Sequence, residues 1–468
     1  MNGVLAGFEW AVLLYFLVVN TLYFALLVSA AVELRSQLLT TWGLGRRWRL
    51  LDSGAAPRLS MLAPAHNEED TVAQSVRALL TLSYPSLEVV LINDGSRDGT
   101  LDVLRREFEL VTIHPVYRRQ VEHAPVRGLY RSAVKPNLVV VDKEQGGKAD
   151  ALNAGINIAG GTLVCAMDAD TLIEPDALLR MVRPFLRRDD VVAAGGTIRV
   201  ANGSLVQGGR VIEPRAPRRP LAGVQTVEYL RAFLFGRLGW NRLGGNLIIS
   251  GAFGLFHRDA VIAVGGYVHE TVGEDMELVA HLRREGLERG GPHRVEFIPD
   301  PVAWTQVPET LRVLGRQRDR WQRGLADVLS RYRRLIANPR YGPLGVVVIP
   351  YFLIVELLSP VVEVLGLIGL GLGLAVGAVD TSFAVLFFLV AYGYGLVLSC
   401  LALVMDELGF RRYRRVRDRL LLLSWAVVES LGYRQLTALW RLRGLLKYLR
   451  GSREWGVMTR RSFAPSES

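Results

Sequence analysis

Cysteine is nearly missing from this chain: two in 468 residues, Cys165 and Cys400, each inside an apolar run and far from the other. That excludes a disulfide framework, offers no metal-ligand spacing, and places the polar part of the chain in a reducing compartment. Histidine is sparse as well, seven residues without a cluster, although His66 falls beside a motif described below. Charge is missing where it would most disturb a bilayer. There is none from Trp10 to Val32 and none from Thr381 to Met405, and only Glu356 and Glu363 interrupt Leu344 to Val379. About 20 apolar residues suffice for a helix to cross a hydrocarbon core of about 30 Å. The expectation is an integral membrane protein carrying a polar insert at roughly residues 50–335. No Lys or Arg precedes the first stretch and no small-residue cleavage site follows it, so an anchor is expected rather than a signal peptide. Internal repeats and low-complexity tracts are lacking too.

The formal net charge is +11. Its basic residues gather at Arg35 to Arg49, Arg312 to Arg334, Arg411 to Arg419 and Arg434 to Arg461, each beside an apolar stretch. The positive-inside rule makes these ends cytoplasmic, facing anionic lipid. No DNA- or RNA-binding module accompanies the charge, so no nucleic-acid partner is expected.

Short apolar runs alternate with helical periodicity in the insert, the pattern of an α/β domain with a mainly parallel sheet. Strands are expected at Leu59 to Ala63, Glu88 to Ile92, Asn137 to Val141 and Leu163 to Met167. Helices are expected at about 68–82, 100–109 and 148–158, with another after Pro175. The basic, aromatic stretch 111–135 reads as an irregular loop. Ligands of such sheets sit outside the carboxyl ends of the strands. There the sequence places His66-Asn67-Glu68, Asn93-Asp94 and Asp168-Ala169-Asp170. Side chains two apart in an extended segment point the same way, so Asp168 and Asp170 converge. Converging carboxylates repel unless a cation lies between them, and Mg²⁺ or Mn²⁺ fits. The plainer reading has one aspartate capping a helix and the other solvated.

Four further stretches narrow the choice: LAPAHNEED (62–70), VVLINDGSRDGT (89–100), GGKADALNAGI (146–156) and VGEDMEL (272–278), followed by QRDRW (317–321). With these motifs in this order, the chain resembles the family 2 glycosyltransferases over about residues 57–325. It is most similar to their membrane-embedded processive synthases of β-linked polysaccharides such as poly-β-1,6-N-acetylglucosamine, hyaluronan, chitin and cellulose. The resemblance implies a Rossmann-like, nucleotide-sugar-binding domain of GT-A type flanked by transmembrane helices. It implies uridine contacts at Glu68 and Asp94, donor contacts at Lys148, Asp168 and Glu274, and metal ligation by Asp168 and Asp170. Asp275 matches the general base. Gln317, Arg320 and Trp321 match a Q-x-x-R-W motif that holds diphosphate and stacks on the terminal sugar.

The residue types fit those roles. Lys148 follows Gly146-Gly147 at a helix start, where amides and ammonium can both meet phosphate; a solvated lysine is the alternative. Asp275 also suits the start of the helix after it, as an N-cap. Arginine is a bidentate phosphate partner, and a Trp on a basic amphipathic helix is otherwise an interfacial anchor. In the acceptor stretch, Ile249 to Gly254, the cysteine of cellulose synthases is absent, which points away from glucose.

The expected organisation is an anchor with a basic flank (1–50), a cytoplasmic catalytic domain (51–310), an amphipathic interface helix (311–340), two transmembrane helices (341–410) and a basic tail with an interfacial helix (411–468). The expected activity is inverting polymerisation of a β-linked polysaccharide from a UDP-sugar, UDP-N-acetylglucosamine in the first instance, at the plasma membrane and with export. Single-sugar transfer to a lipid or short acceptor is the rival, and a non-enzymatic scaffold the other. Glu356 and Glu363 would line a polymer path or pair with an Arg of helix 311–334.

Overall fold

The computed structural model describes residues 2–42, 56–114, 117–168 and 171–451. Asp170, most of the basic flank after Arg35 and the basic end beyond residue 451 lie outside the described residues. Contacts divide the chain into two units. One takes the residues up to Ser36, Pro214–Gly245 and those from Val307 onward; the other takes Gln37–Glu213 and Asn246–Gln306. The segment 214–245, read from sequence as part of the domain at 51–310, thus groups with the apolar helices.

The longer helices, in chain order, are α1 (Asn2–Trp42), α2 (Val72–Leu80), α3 (Thr100–Phe108), α4 (Lys148–Ile158), α5 (Pro220–Phe233), α6 (Glu274–Arg289), α7 (Leu311–Arg331), α8 (Leu344–Ala375), α9 (Thr381–Phe410), α10 (Val416–Val428) and α11 (Arg434–Leu449). The strands are β1 (Leu59–Ala65), β2 (Leu87–Asp94), β3 (Leu110–Thr112), β4 (Val126–Ser132), β5 (Leu138–Lys143), β6 (Leu163–Met167), β7 (Leu172–Ile173), β8 (Val191–Val200), β9 (Leu205–Gln207), β10 (Arg210–Glu213), β11 (Phe253–His257) and β12 (Arg294–Thr305).

Ten strands form one sheet in the order β3-β4-β5-β2-β1-β6-β11-β8-β12-β7. Its centre, β5-β2-β1-β6, is parallel. These strands are continuous apolar runs because a parallel strand is covered on both faces, and every residue of β6 is buried. Elsewhere the sheet is mixed rather than mainly parallel: β11 runs antiparallel to β6 and β8, and β4 antiparallel to β5. The stretch read as an irregular loop at 111–135 therefore contains a strand. Its sequence, VRGLYRS, hid it because only Leu129 and Ser132 are buried and the arginines face outward. Helix α4 is buried along nearly its whole length. Gly155 lets it settle on the sheet, since a Cβ there would lie 3.0 Å from Ile92. Asn153 and Asn157 hold the 120–122 backbone on its other side.

In the other unit, α1, α8 and α9 are long and apolar enough to cross a membrane, and among the described residues no other helix is. α8 bends at Leu358, and the next helical segment begins at Ser359 with Pro360 in its first turn, where the missing N–H costs no hydrogen bond. Asp380 caps α9 by accepting from Phe383 N–H at 2.7 Å. The short apolar run 420–434 does not continue as one helix: it breaks at Leu431 and Gly432 (φ +94°) between α10 and α11. Glu356 pairs with an arginine, but Arg441 of α11 at 3.6 Å rather than one from α7. Gln322 of α7 joins through its bond from Arg441 Nε at 2.8 Å. Glu363 accepts from Tyr392 at 3.3 Å.

α11 backs α7 closely. Asp319 is 1% exposed and bonds Arg323, Arg443 and Lys447. A Cβ on Gly444 would lie 2.5 Å from Asp319 O. Gly444→Leu is expected to force the two helices apart at a cost of about 1–3 kcal/mol. A thermal melt of the purified protein in detergent should show the lower midpoint; an unchanged midpoint would contradict this packing.

Candidate active site

Strand register assembles the rim. Ala65 lies opposite Asn93, Asn93 opposite Asp142, and Asp94 opposite Lys143, so the parallel strands end together and their next residues share one edge. The loops after β1 and β2 are laced to each other. Asn67 N–H donates to Ser96 Oγ, Arg97 N–H to Asn67 Oδ1, and Glu68 N–H to Thr100 Oγ1. Glu68 Oε2 accepts from Thr71 Oγ1 at 2.5 Å. His66 Nδ1 lies 2.8 Å from Asp94 O.

Asp94 is 5% exposed and its carboxylate is heavily engaged. It takes Lys143 Nζ at 2.6 Å, Gly146 N–H at 2.9 Å and Gly147 N–H at 2.7 Å. The two glycine amides that the sequence offered to phosphate thus serve Asp94 instead. Gly95 (φ +63°) permits this turn, because a Cβ there would meet Gln145 N at 2.6 Å. Lys143 is fully buried and also bonds Asp150 Oδ1 at 2.5 Å. Asp150 in turn accepts from Ala124 N–H and lies 3.7 Å from His269. Sequence reasoning missed Lys143 and Asp150. The available signal was a lysine closing an apolar strand, VVVDK, at the same rim.

A second cluster joins α4, the end of β6, the 249–254 stretch and the start of α6. Lys148 Nζ lies 2.5 Å from Asp168 Oδ1, 3.2 Å from Gly251 O and 3.7 Å from Glu274 Oε1. Asp275 Oδ2 accepts from Gly251 N–H at 2.9 Å, and its Oδ1 from Met276 N–H at 2.8 Å. Asp275 is therefore inside the first turn of α6, whose N-cap is Gly273. A side chain on Gly251 would be squeezed, its Cβ 3.1 Å from Lys148 Nζ and 3.2 Å from Asp275 Oδ2. Burial works to lower the Lys148 pKa, but Asp168 and Glu274 overcome it and hold the ammonium above its ordinary value. Burial raises the Glu274 carboxyl, Lys148 opposes, and Asp275 adds to the rise. The Tyr267 phenol is pushed well above its ordinary range by burial and by Asp275 and Glu274.

The structure thus brings Lys148, Asp168, Glu274 and Asp275 together, with Asp94 at the end of β2, two strands from β6 along the same rim. Gln317, Arg320 and Trp321 belong to α7 in the other unit. There Gln317 is buried, its Oε1 without a partner among the described residues. Trp321 is 44% exposed, with the Arg318 guanidinium 4.4 Å from its ring centroid. Arg318 is fixed by Glu228 at 2.7 Å and Tyr433 at 3.2 Å.

A mixed α/β sheet with acids and a lysine gathered at the strand ends suits a nucleotide-sugar transferase, and comparison with known proteins gives that class. The model of Glycosyl transferase family 2 matches residues 60–265, and that of Glycosyl transferase family group 2 matches residues 163–398. The chain belongs to the family 2 glycosyltransferases. It is 29% identical over 274 residues to poly-beta-1,6-N-acetyl-D-glucosamine synthase of Staphylococcus aureus (strain MSSA476), covering 58% of this chain and 56% of that one. Identity to the Staphylococcus epidermidis protein of that name is 30% over the same coverage. The match spans about half the length of these curated relatives. The solved mannosyltransferase PcManGT from Pyrobaculum calidifontis, in complex with GDP-Man and Mn²⁺, shares the fold. Its TM-score is 0.53 at 20% identity, over 93% of this chain and 99% of that one.

Proposed function

We propose that this chain is a membrane-bound, inverting glycosyltransferase that polymerises a β-linked polysaccharide from UDP-N-acetylglucosamine and exports it, with its catalytic unit cytoplasmic. The observation that carries the reading is Asp275 held within one hydrogen-bonded cluster with Gly251, Lys148 and Asp168. Similarity to the staphylococcal synthases supports the choice of sugar. The three membrane-length helices support the location.

In this reading Asp275 Oδ2 takes the proton of the acceptor hydroxyl as its oxygen bonds the anomeric carbon. The bond from that carbon to the UDP oxygen breaks on the opposite face, its electron pair leaving with the diphosphate. One displacement inverts the configuration. The N–H groups of Gly251 and Met276 keep the base oriented, and Lys148 provides a cation for the leaving group. Asp168 and Asp170 would hold Mg²⁺ or Mn²⁺. Asp168 fits such a role, since its hard carboxylate oxygen already meets a positive charge, the Lys148 ammonium, while Asp170 lies outside the described residues. When bound, the metal supplies charge neutralisation to the departing diphosphate. Glu68 and Asp94 form the nucleoside side of the site. Gln317, Arg320 and Trp321 serve the diphosphate and the terminal sugar.

Purified protein supplied separately with radiolabelled UDP-N-acetylglucosamine, UDP-glucose and UDP-glucuronate tests this. UDP release and a high-molecular-weight product are expected from the first alone. A single-sugar product would remove the polymerase claim, and turnover only with another donor would remove the sugar assignment.

A further inference from the structure

We infer that Lys148 is the resident counter-ion of the metal site: without donor, its ammonium holds the cation's place beside Asp168. The divalent metal consequently enters with the nucleoside diphosphate, not ahead of it. The inference rests on the transferase reading above and adds the order of binding.

The Lys148 ammonium lies 2.5 Å from the Asp168 carboxylate and 3.7 Å from that of Glu274, with Asp275 next in the chain. At 2.5 Å from Asp168 Oδ1, the ammonium occupies one of the two oxygens that this carboxylate could offer a metal. A dication brought within about 4 Å of that ammonium is repelled by it, and a partly buried site screens the repulsion poorly. Mg²⁺ is ordinarily held by one or two carboxylates together with substrate phosphates rather than by an all-protein cage. The diphosphate changes both terms at once. It supplies the missing oxygen ligands, and it gives the lysine an anionic partner elsewhere.

Movement of the lysine is feasible. Lys148 and Asp168 are 22% and 24% exposed, so the pair is not sealed in. Lysine carries its charge on a flexible four-carbon stem. Nor can the turn before α4 meet the phosphate in its place, because the Gly146 and Gly147 amides are held by Asp94.

Mn²⁺ binding, followed by the EPR signal of unbound Mn²⁺ on the full chain in detergent, tests this without turnover. Wild-type protein is expected to bind Mn²⁺ weakly alone and at least tenfold more tightly with UDP. Lys148→Met is expected to bind Mn²⁺ alone at least tenfold more tightly than wild type. Lys148→Arg, which keeps the charge, is expected to stay weak. Wild-type protein that binds Mn²⁺ as tightly without UDP as with it would overturn the inference while leaving the transferase reading intact. So would a Lys148→Met protein with no gain, or a Lys148→Arg protein with the full gain. Wild-type protein that binds no UDP at any Mn²⁺ concentration would overturn both.

Discussion

Asp275→Asn is expected to lower the rate of sugar transfer by about 10²–10⁴-fold, the range of a positioned general base. Asparagine keeps one carbonyl oxygen for Gly251 N–H and gives up the oxygen that meets Met276 N–H, so the start of α6 loses one hydrogen bond, worth about 1 kcal/mol, while the side chain keeps its size. The ability to take the acceptor proton is lost with it, and that loss governs the rate. Turnover of UDP-N-acetylglucosamine should therefore collapse while the thermal midpoint and UDP binding stay near wild type. A variant that retains full transfer would dismiss Asp275 as the base. A variant that loses UDP binding as well would show a residue whose task is shape.

Lys143→Met should produce the largest loss of stability. The lysine side chain is fully buried between Asp94 at 2.6 Å and Asp150 at 2.5 Å. Methionine fills the space but leaves two buried carboxylates without their cation. Breaking a buried ion pair by removing one partner costs about 3–5 kcal/mol. For a unit of about 150–250 residues each kcal/mol is worth roughly 2–4 °C, so the melting midpoint should fall by about 10 °C. Adding Asp150→Asn to Lys143→Met removes one of the stranded charges and should recover part of the loss, a coupling that a double-mutant cycle measures. A Lys143→Met protein as stable as wild type would show that the buried charges are not coupled.

Much of the catalytic unit was legible because its strands are doubly covered and so spelled in uninterrupted Leu, Val and Ile. β6 begins at Leu163 and ends at Met167, as its apolar run does, and α4 likewise spans Lys148 to Ile158. The edges were harder to read. β4 is half exposed and carries arginines, so its pattern resembles a loop. β11 and β12 pair far away in sequence, and local spacing says nothing about such partners. In the candidate site, the motifs singled out Lys148, Asp168 and Asp275, which the structure brings into one cluster. They could not reveal that the Gly146 and Gly147 amides are taken by Asp94, because that depends on where Lys143 pins the carboxylate. In the helical unit, the acids at 356 and 363 stood out by their surroundings. Their partners came from Tyr23, Tyr392 and Arg441, which no sequence spacing connects to them.

The threading of the sheet has a consequence for how the protein is made. β8 is hydrogen-bonded on one side by β11 and on the other by β12, and the ribosome delivers both only after α5 has emerged. A nascent chain halted before Arg294 has β8 with one flank uncovered, a ready template for sticking to other chains. Synthesis that stalls in this interval should yield aggregates or prey for membrane proteases, and shortened versions ending there should not accumulate in soluble form.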